Sequence, residues 1–401
     1  MTTENVSLWK APKDSVSPPR KLKFFTRPAG FDMLFFVLLM LVLVIGLVSL
    51  FSASYAYSYY QNKGDSYFYI TKQIGYALFG VGMMLIISLV DYHVLHRLAI
   101  PIMIFSGLLL VIVLFLPSVQ NVHRWIRIGI NIQPSEIAKF GIVLLFAHMI
   151  AHFKENMKRF IGFWPFMLVL VVTCGLVFVE PHLSGTILIL AIGMVMMFIG
   201  GTRLWYLGGT VLLGVAAFCL MVFVFGYEQD RLEVWRDPLL VYTSDKIYDG
   251  GLTGRDIAWQ TVQSLYAIGS GGLMGEGLGN SRQKHLFLPE PQNDFIFAIV
   301  CEELGFIGAA LIVLLFALLV WRGFIIGMKA PDKFWSMLAI GLTAKIGLQV
   351  VLNLAVVTNS IPNTGISLPF FSYGGSSLVM LLMQMGVVLS ISRQSARRIG
   401  K

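Results

Sequence analysis

The chain has 401 residues, of which 57% are hydrophobic and only 13% charged, and its mean hydropathy is +0.77. Soluble globular domains have about 25% charged residues, so this composition excludes that class and indicates a polytopic membrane protein. The formal net charge is +9. It calls for no nucleic-acid partner, because basic cytoplasmic loops beside anionic lipid account for it.

Apolar runs of near spanning length indicate an all-α, polytopic fold with about ten transmembrane helices. Between the seventh and eighth runs lies one long polar connection, residues 227–293, which we expect on the extracytoplasmic side. The transmembrane domain is predicted over residues 31–393, with basic cytoplasmic tails at 1–30 and 394–401. The runs cover residues 33–51, 74–90, 98–116, 137–152, 163–179, 185–200, 204–226, 295–320, 334–357 and 378–391.

The distribution of Lys and Arg predicts the orientation, because cytoplasmic loops are enriched in these residues. With the N-terminus inside, the inner side collects the basic residues of both tails and of the loops near 154–159 and 322–333. The short loops of the other side contain few. Both termini are therefore predicted to be cytoplasmic. The unusual polar segments fall on the opposite side, which predicts a site that faces outward.

Asp294 is the acidic residue that most needs an explanation. It directly precedes an apolar run that begins at Phe295, and this position places its carboxylate at the membrane interface. Ionisable groups at membrane depth are costly and mark functional sites. Two roles stay open: general base, and ligand of a divalent cation such as Mg²⁺ or Mn²⁺. The structural alternative is a helix N-cap, a position that Asp favours, where the helix dipole would weaken it as a base.

Two segments around the fourth apolar run supply further charged candidates. Arg124 and Arg127 suit bidentate contact with a diphosphate, and their alternative role is anchoring at the membrane interface. Glu136 and Lys139 are three residues apart, close enough on one helical face to neutralise each other within lipid. A role in the site and a purely structural ion pair both stay open for them. Ser135 is predicted to cap this helix.

The remaining outer segments complete the predicted substrate site. Glycines are frequent over residues 269–279, which frees the backbone for positive φ and for presenting N–H groups to phosphate. This segment lacks the Lys-Ser or Lys-Thr ending of a nucleotide-binding loop. A second glycine cluster closes segment 362–377, before the last helix. We also assign five side chains to substrate or diphosphate binding: Arg231, Arg282 and Lys284 from the long connection 227–293, and Ser367 and Ser376 from segment 362–377.

Taken in order, the outer segments resemble the SEDS family (shape, elongation, division and sporulation), the polytopic peptidoglycan glycosyltransferases that include RodA, FtsW and SpoVE. The resemblance extends from the first helix to the last. Residues 277–284 are more similar to the division and sporulation branches than to RodA, which favours an FtsW-like member. The segments that carry the resemblance are 124–126, 133–136, 288–290, 294–297, 302–305, 362–365, 368–370 and 372–376.

The resemblance implies a function. Family members polymerise lipid II into glycan strands at the outer face of the bacterial cytoplasmic membrane and release undecaprenyl diphosphate, in cell division, cell shape or sporulation. It implies Asp294 as the catalytic carboxylate. It also implies a class B penicillin-binding protein as partner, bound through its transmembrane helix, beside other divisome or elongasome proteins. No cofactor is assigned, and a divalent cation at Asp294 stays open.

The chain departs from the family pattern at three positions. His182 stands where family members commonly have Asp, Asn293 where Thr is common, and Trp259 where a Tyr-Gln pair is usual. Because of His182, no acidic role is expected at that loop. Two other functions remain as alternatives: a lipid II flippase, and a non-catalytic scaffold for a penicillin-binding protein.

Overall fold

The computed structural model describes residues 30–90, 92–116, 124–128, 130–180, 182–223, 229–244, 246–248 and 252–399. The predicted N-terminal tail lies almost wholly outside these residues, as do the last residues of the C-terminal tail. Thirteen α-helices and one short hairpin form the described part of the chain. The helices are α1 Met33–Gln61, α2 Phe68–Ile87, α3 Tyr92–Leu114, α4 Pro134–Phe153, α5 Phe160–Val179, α6 Leu183–Gly200, α7 Leu204–Phe223, α8 Gln229–Arg236, α9 Pro238–Tyr242, α10 Gly254–Ser270, α11 Ile296–Met328, α12 Lys333–Val357 and α13 Gly375–Ile399, and the strands are β1 Ile126–Ile128 and β2 Ile130–Ile132.

The helical bundle confirms the predicted class. Within the described residues, nine helices are long and apolar enough to cross a membrane, and α7 adds a shorter apolar stretch over Leu204–Leu220. Several helices extend beyond the apolar runs seen in sequence. The fourth run was predicted at 137–152, whereas α4 begins at Pro134 and so includes polar residues in its first turn. The ion pair between Glu136 and Lys139 makes this possible, because each side chain neutralises the charge of the other.

Side-chain caps define where α1 and α12 begin, and these two helix starts lie on the same side of the bundle. The carboxylate of Asp32 accepts from the N–H of Phe35 at 3.0 Å at the start of α1, and that of Asp332 accepts from the N–H of Trp335 at 3.1 Å at the start of α12. Arg322 of α11 also donates to Asp32 at 2.7 Å. This ion pair joins the first helix to the eleventh. Each cap satisfies backbone donors that a helix start leaves free.

The long connection between α7 and α11 is folded where it is described. Helices α8, α9 and α10 pack around their own small core, formed by the buried side chains of Val234, Val241, Tyr248, Ala258 and Val262. Helix α10 begins with a capping box between Thr253 and Asp256. The connection is therefore a small helical unit beside the end of the bundle.

Helix α11 is broken inside the membrane domain at Gly305, where φ is 65° and ψ is −172°. Residues of the glycine-rich segment 269–279 replace the lost helical hydrogen bonds. The N–H of Glu276 donates to the carbonyl of Glu302 at 2.9 Å, and the N–H of Phe306 donates to the carbonyl of Gly272 at 2.9 Å. The N–H groups of Glu276 and Gly277 therefore bind carbonyl groups of α11. The expectation that the segment presents its N–H groups to phosphate is wrong for these two.

Candidate active site

A cavity of about 600 Å³ opens at one end of the bundle. It lies where α2, α4, α6, α11 and α13 begin and where α12 ends, beside the β1–β2 hairpin. Successive spanning helices run in opposite directions, so every second connection lies on the same side of the membrane. All of these helix ends belong to connections on that one side. The predicted outer segments supply most of its lining, which includes Arg124, Glu136, Lys139, His182, Asp294, Lys345, Gln349, Ser367 and Ser376.

Asp294 lies in this cavity, half-buried, two residues before α11 begins. Phe295 occupies the N-cap position, so the alternative of Asp294 as N-cap is wrong. The side chain of Asn353 holds the backbone in place by donating to the carbonyl of Asp294 at 2.8 Å. Opposite the carboxylate is Gly365, at φ +68°, where an added Cβ would lie 3.1 Å from Asp294 Oδ2. A larger residue at 365 would crowd the carboxylate.

The surroundings of Asp294 raise its pKa to about 6. Burial is the main cause, because it disfavours the charged form. The negative charge of Glu290 raises the pKa further, and the positive charge of Arg124 lowers it. A carboxyl group with a pKa close to the working pH is suited to taking up a proton and releasing it again.

Four buried side chains form what we name the lysine cluster: Glu136, Lys139, Lys345 and Gln384, of which the first three line the same cavity as Asp294. Lys139 donates to one carboxylate oxygen of Glu136, and Lys345 Nζ lies 3.5 Å from the other. Lys345 also donates to Gln384 Oε1 at 3.0 Å. The predicted pairing of Glu136 with Lys139 is confirmed. The expected cap by Ser135 is wrong, because α4 already begins at Pro134.

Arg124 lines the cavity and is tied to the start of α6. Its Nε donates to the backbone carbonyl of Glu180 at 3.3 Å. Arg127 lies in β1, and its side chain is outside the described residues. The geometry therefore brings Arg124 to Asp294 and leaves the second predicted arginine untested.

The sequence predicted no role for Glu180 and no acidic role for the loop that contains His182. The side chains of Glu180 and His182 are nevertheless buried beside the cavity. Burial raises the pKa of Glu180 to about 8 against the opposing charge of Arg124. Burial also lowers the pKa of His182 to about 3, and the charges of Lys139 and Arg124 act in the same direction. The imidazole is therefore neutral in the physiological range. Only the Glu-Pro-His run before an apolar stretch signalled this corner in the sequence.

Two of the predicted hydroxyl residues also lie in the cavity. Ser367 accepts from the side chain of Gln349 through its carbonyl at 2.9 Å and its hydroxyl at 3.4 Å. The hydroxyl of Ser376 is buried and has no hydrogen-bond partner among the described residues. Ser376 lies in the first turn of α13, next to Gly375, which packs against the ring of Tyr76.

The structure places three predicted phosphate ligands outside the cavity lining. Lys284 is buried elsewhere, where its ammonium is paired with Glu303 at 2.9 Å and also donates to Ser52. Its assignment to diphosphate binding is corrected, because those partners satisfy its charge. Arg282 is exposed, and its backbone N–H donates to Glu302 at 2.9 Å. Arg231 is exposed on α8 and donates to the carbonyl of Asn363 at 3.2 Å.

A multi-pass helical bundle with a polar, charged cavity at one end defines a membrane protein with an enzyme-like site. The family model described as "Cell cycle protein", FTSW_RODA_SPOVE, matches residues 32–397. The chain belongs to this family, as the resemblance read from its sequence predicted.

Relatives and solved structures agree with that assignment. Stage V sporulation protein E of Bacillus subtilis (strain 168) is 39% identical over 380 residues, which are 92% of this chain and 99% of the relative. Probable peptidoglycan glycosyltransferase FtsW of Geobacter sp. (strain M18) is 35% identical over 376 residues, 91% of this chain and 98% of the relative. The crystal structure of the rod shape determining protein RodA of Thermus thermophilus matches with a TM-score of 0.66 at 26% identity, over 91% of this chain and 97% of that chain. A chain of a peptidoglycan synthase complex has the same fold, with a TM-score of 0.72 at 24% identity over 91% of this chain and 98% of that chain.

Proposed function

We propose that this chain is a peptidoglycan glycosyltransferase that polymerises lipid II into glycan strands and releases undecaprenyl diphosphate. One observation carries the proposal: a carboxyl group with a pKa of about 6, Asp294, shares a cavity with Arg124, Lys139 and Lys345. Glycosyl transfer from a diphosphate needs both a base and cations. The names of the FtsW relatives support the same activity.

The cavity suggests how the chain's own residues take part. Asp294 accepts the proton of the attacking sugar hydroxyl. The hydroxyl oxygen forms its bond to the anomeric carbon while the bond from that carbon to the diphosphate oxygen breaks, and the diphosphate leaves with the electron pair. Arg124 and Lys139 stabilise the negative charge that develops there. The half-buried position of Asp294 keeps its carboxylate reactive, since fewer water molecules stabilise the charged form.

The alternative role for Asp294 is that of a ligand to a divalent cation, Mg²⁺ or Mn²⁺. Among the described residues, no group of three His, Cys, Asp or Glu side chains converges in a way that could hold a metal ion. A cation at Asp294 would therefore depend on diphosphate oxygens for further ligands, and hard oxygen ligands suit these ions. The cation would neutralise charge on the leaving diphosphate.

The membrane, the orientation and the partner of this activity are part of the same proposal. We place the chain in the bacterial cytoplasmic membrane, with both termini in the cytoplasm and the cavity facing outward, where the acceptor and donor lipids present their sugars. A class B penicillin-binding protein is the proposed partner, bound through its transmembrane helix. The fold that this chain shares with a member of a peptidoglycan synthase complex supports that partner class.

Replacing Asp294 by Asn tests the proposal. The substitution keeps the size of the side chain and removes its negative charge, so neither proton uptake nor strong cation binding survives. We expect Asp294→Asn to insert, purify and bind its penicillin-binding partner, and to lose at least about 10²-fold in glycan formation from lipid II. The measurement is glycan length and yield from purified lipid II, in preparations free of other glycosyltransferases.

The matched control is Asp230→Asn on α8, which removes an Asp outside the cavity lining and should polymerise at the wild-type rate. Polymerisation by Asp294→Asn near that rate would remove Asp294 from the mechanism. The flippase and scaffold alternatives would then be favoured.

A further inference from the structure

Lys345 is the most deeply placed cation of the cavity, and its charge is incompletely matched. It lies in the middle of α12, twelve residues or roughly 18 Å from the Val357 end, and is 1% exposed. Its ammonium has two acceptors among the described residues: Gln384 Oε1 at 3.0 Å and Glu136 Oε2 at 3.5 Å. An ammonium carries three donor hydrogens, and charged hydrogen bonds are typically about 2.7–2.9 Å long.

Lys284 shows how the same chain satisfies a buried lysine that has only a structural role. Its side chain is as buried as that of Lys345, and its ammonium donates to Glu303 at 2.9 Å, to Ser52 at 3.2 Å and to the carbonyl of Gly279 at 2.6 Å. Three acceptors, one of them a close carboxylate, complete its coordination. By comparison, Lys345 lacks one acceptor and has no close carboxylate of its own.

The charges of the lysine cluster also do not balance. Glu136 carries one negative charge between the ammonium groups of Lys139 and Lys345, and Lys139 makes the close contact. One positive charge remains in a buried place, where an unmatched charge is costly. Two further polar atoms nearby are buried without a partner among the described residues: Gln384 Nε2 and His182 Nδ1. This surplus of charge and of unused polar groups points to an anion supplied from the cavity.

We propose that the lysine cluster is an anion subsite that binds a phosphate group of a diphosphate ligand, with Lys345 as its principal cation. The inference extends the proposed function, because that reaction brings diphosphate into this cavity. Phosphate oxygens would supply Lys345 with the acceptor that it lacks, and Lys139 would share the ligand. Glu136 acts as a positioning residue, since its two oxygens hold both ammonium groups at the cavity wall.

Inorganic diphosphate serves as the probe, so that binding is measured without turnover. The thermal unfolding midpoint of the purified full-length protein is followed over a range of diphosphate concentrations, with sodium chloride at matched ionic strength as the salt control. A ligand that binds only the folded protein raises this midpoint with concentration. We expect a saturable rise for the wild type, and an apparent Kd that is weakened about tenfold or more in Lys345→Met, since charged hydrogen bonds contribute on that scale.

The two lysines make a matched pair for distinguishing a ligand site from a structural ion pair. Lys345→Met leaves Glu136 and Lys139 as a neutral pair, so the midpoint without diphosphate should be unchanged or higher. Lys284→Met leaves Glu303 buried without its cation, so its midpoint should fall while its apparent Kd stays at the wild-type value. Lys345→Gln, which keeps a polar donor, provides a second variant with the charge removed and should also weaken the apparent Kd.

Three results would overturn the subsite: no saturable response of the wild type beyond the salt control, wild-type diphosphate affinity in both Lys345 variants, or a fall in midpoint for Lys345→Met that matches Lys284→Met with affinity unchanged. A separate outcome concerns the activity. If the wild-type protein binds diphosphate through Lys345 but makes no glycan from lipid II, the subsite stands and the proposed function fails.

Discussion

At the scale of single residues, Asp294 differs from an ordinary surface carboxylate in its surroundings. Its backbone is held by Asn353, and the absence of a side chain at Gly365 gives the carboxylate room. Burial and the charge of Glu290 act against the charge of Arg124, and the balance raises the pKa of Asp294 to about 6. The sequence suggested that the helix dipole would favour the ionised carboxylate and weaken it as a base, whereas the pKa of Asp294 is raised, chiefly by burial.

This pKa predicts the pH dependence of glycan formation. Only the ionised form of Asp294 can accept a proton, and this form is lost as the pH falls through about 6. We expect kcat/KM to be level above that pH and to fall about tenfold per pH unit below it. His182, whose pKa is about 3, does not titrate in this range. The measurement is the initial rate of lipid II use at subsaturating concentration from pH 5 to pH 7.5.

Intrinsic tryptophan fluorescence at each pH serves as the control for unfolding. A rate that stays level down to pH 5, with the protein folded throughout, would contradict a base with this pKa. It would favour the role of cation ligand or a different base.

The sequence predicted the ion pair whose two residues are close along the chain and missed the pairs whose residues are far apart. Glu136 and Lys139 were predicted to pair because they are neighbours on one helix turn. Lys345 joins them from a position 209 residues from Glu136, a separation that no local pattern reports. Lys284 was misassigned for the same reason: its partner Glu303 belongs to another element. Local spacing predicts charge pairs within helices, and tertiary packing decides the others.

At the scale of elements, the broken helix α11 is the main feature that positions Asp294. The half of α11 before Gly305 follows Asp294 directly and is held by the glycine-rich segment through backbone hydrogen bonds. The carboxylates of Glu302 and Glu303 add contacts to Ser281 and Lys284. Sequence periodicity could not show this break, because a glycine inside an apolar run costs a helix only about 1 kcal/mol and its φ is decided by the partner segment.

Gly305→Ala tests how far this junction matters. The backbone at Gly305, with φ 65° and ψ −172°, lies in a region that only glycine adopts readily, and an added Cβ would overlap the backbone of residues 273–275. We expect a loss of at least about 2 kcal/mol in unfolding free energy. Glycan formation should also fall, because Asp294 is carried by the same half of α11. Both are measured on the purified protein, by thermal unfolding and by lipid II polymerisation.

Gly107→Ala in α3 is the matched control. A Cβ at Gly107 would meet nothing within 4 Å, and alanine favours a helix interior over glycine by up to about 1 kcal/mol. The control should therefore be neutral or slightly stabilising. If Gly305→Ala were as stable and as active as Gly107→Ala, the junction at Gly305 would tolerate a side chain.

At the scale of the whole molecule, the bundle could be predicted from the sequence because the membrane constrains the chain strongly. Spanning helices need about 20 apolar residues and must satisfy their own backbone groups, so composition alone indicates their number and rough positions. The helical unit formed by α8, α9 and α10 was harder to predict, because it is short, polar and stabilised by a small core of its own. The clustering of polar segments on one side was visible in sequence, and the cavity forms where they meet.

The orientation of the bundle in the membrane can be tested with two exposed residues at its opposite ends. Arg236 ends α8 on the side of the cavity, whereas Lys333 begins α12 at the other end. In a background with Cys174, Cys219 and Cys301 replaced by Ala, each is changed in turn to Cys. A membrane-impermeant maleimide should label Arg236→Cys in intact cells and Lys333→Cys only after permeabilisation, because the basic loops predict that Lys333 is cytoplasmic. Labelling of Lys333→Cys in intact cells, with Arg236→Cys protected, would turn the cavity toward the cytoplasm. An inward cavity could not meet sugars displayed at the outer face, so that result would also count against outward glycan synthesis.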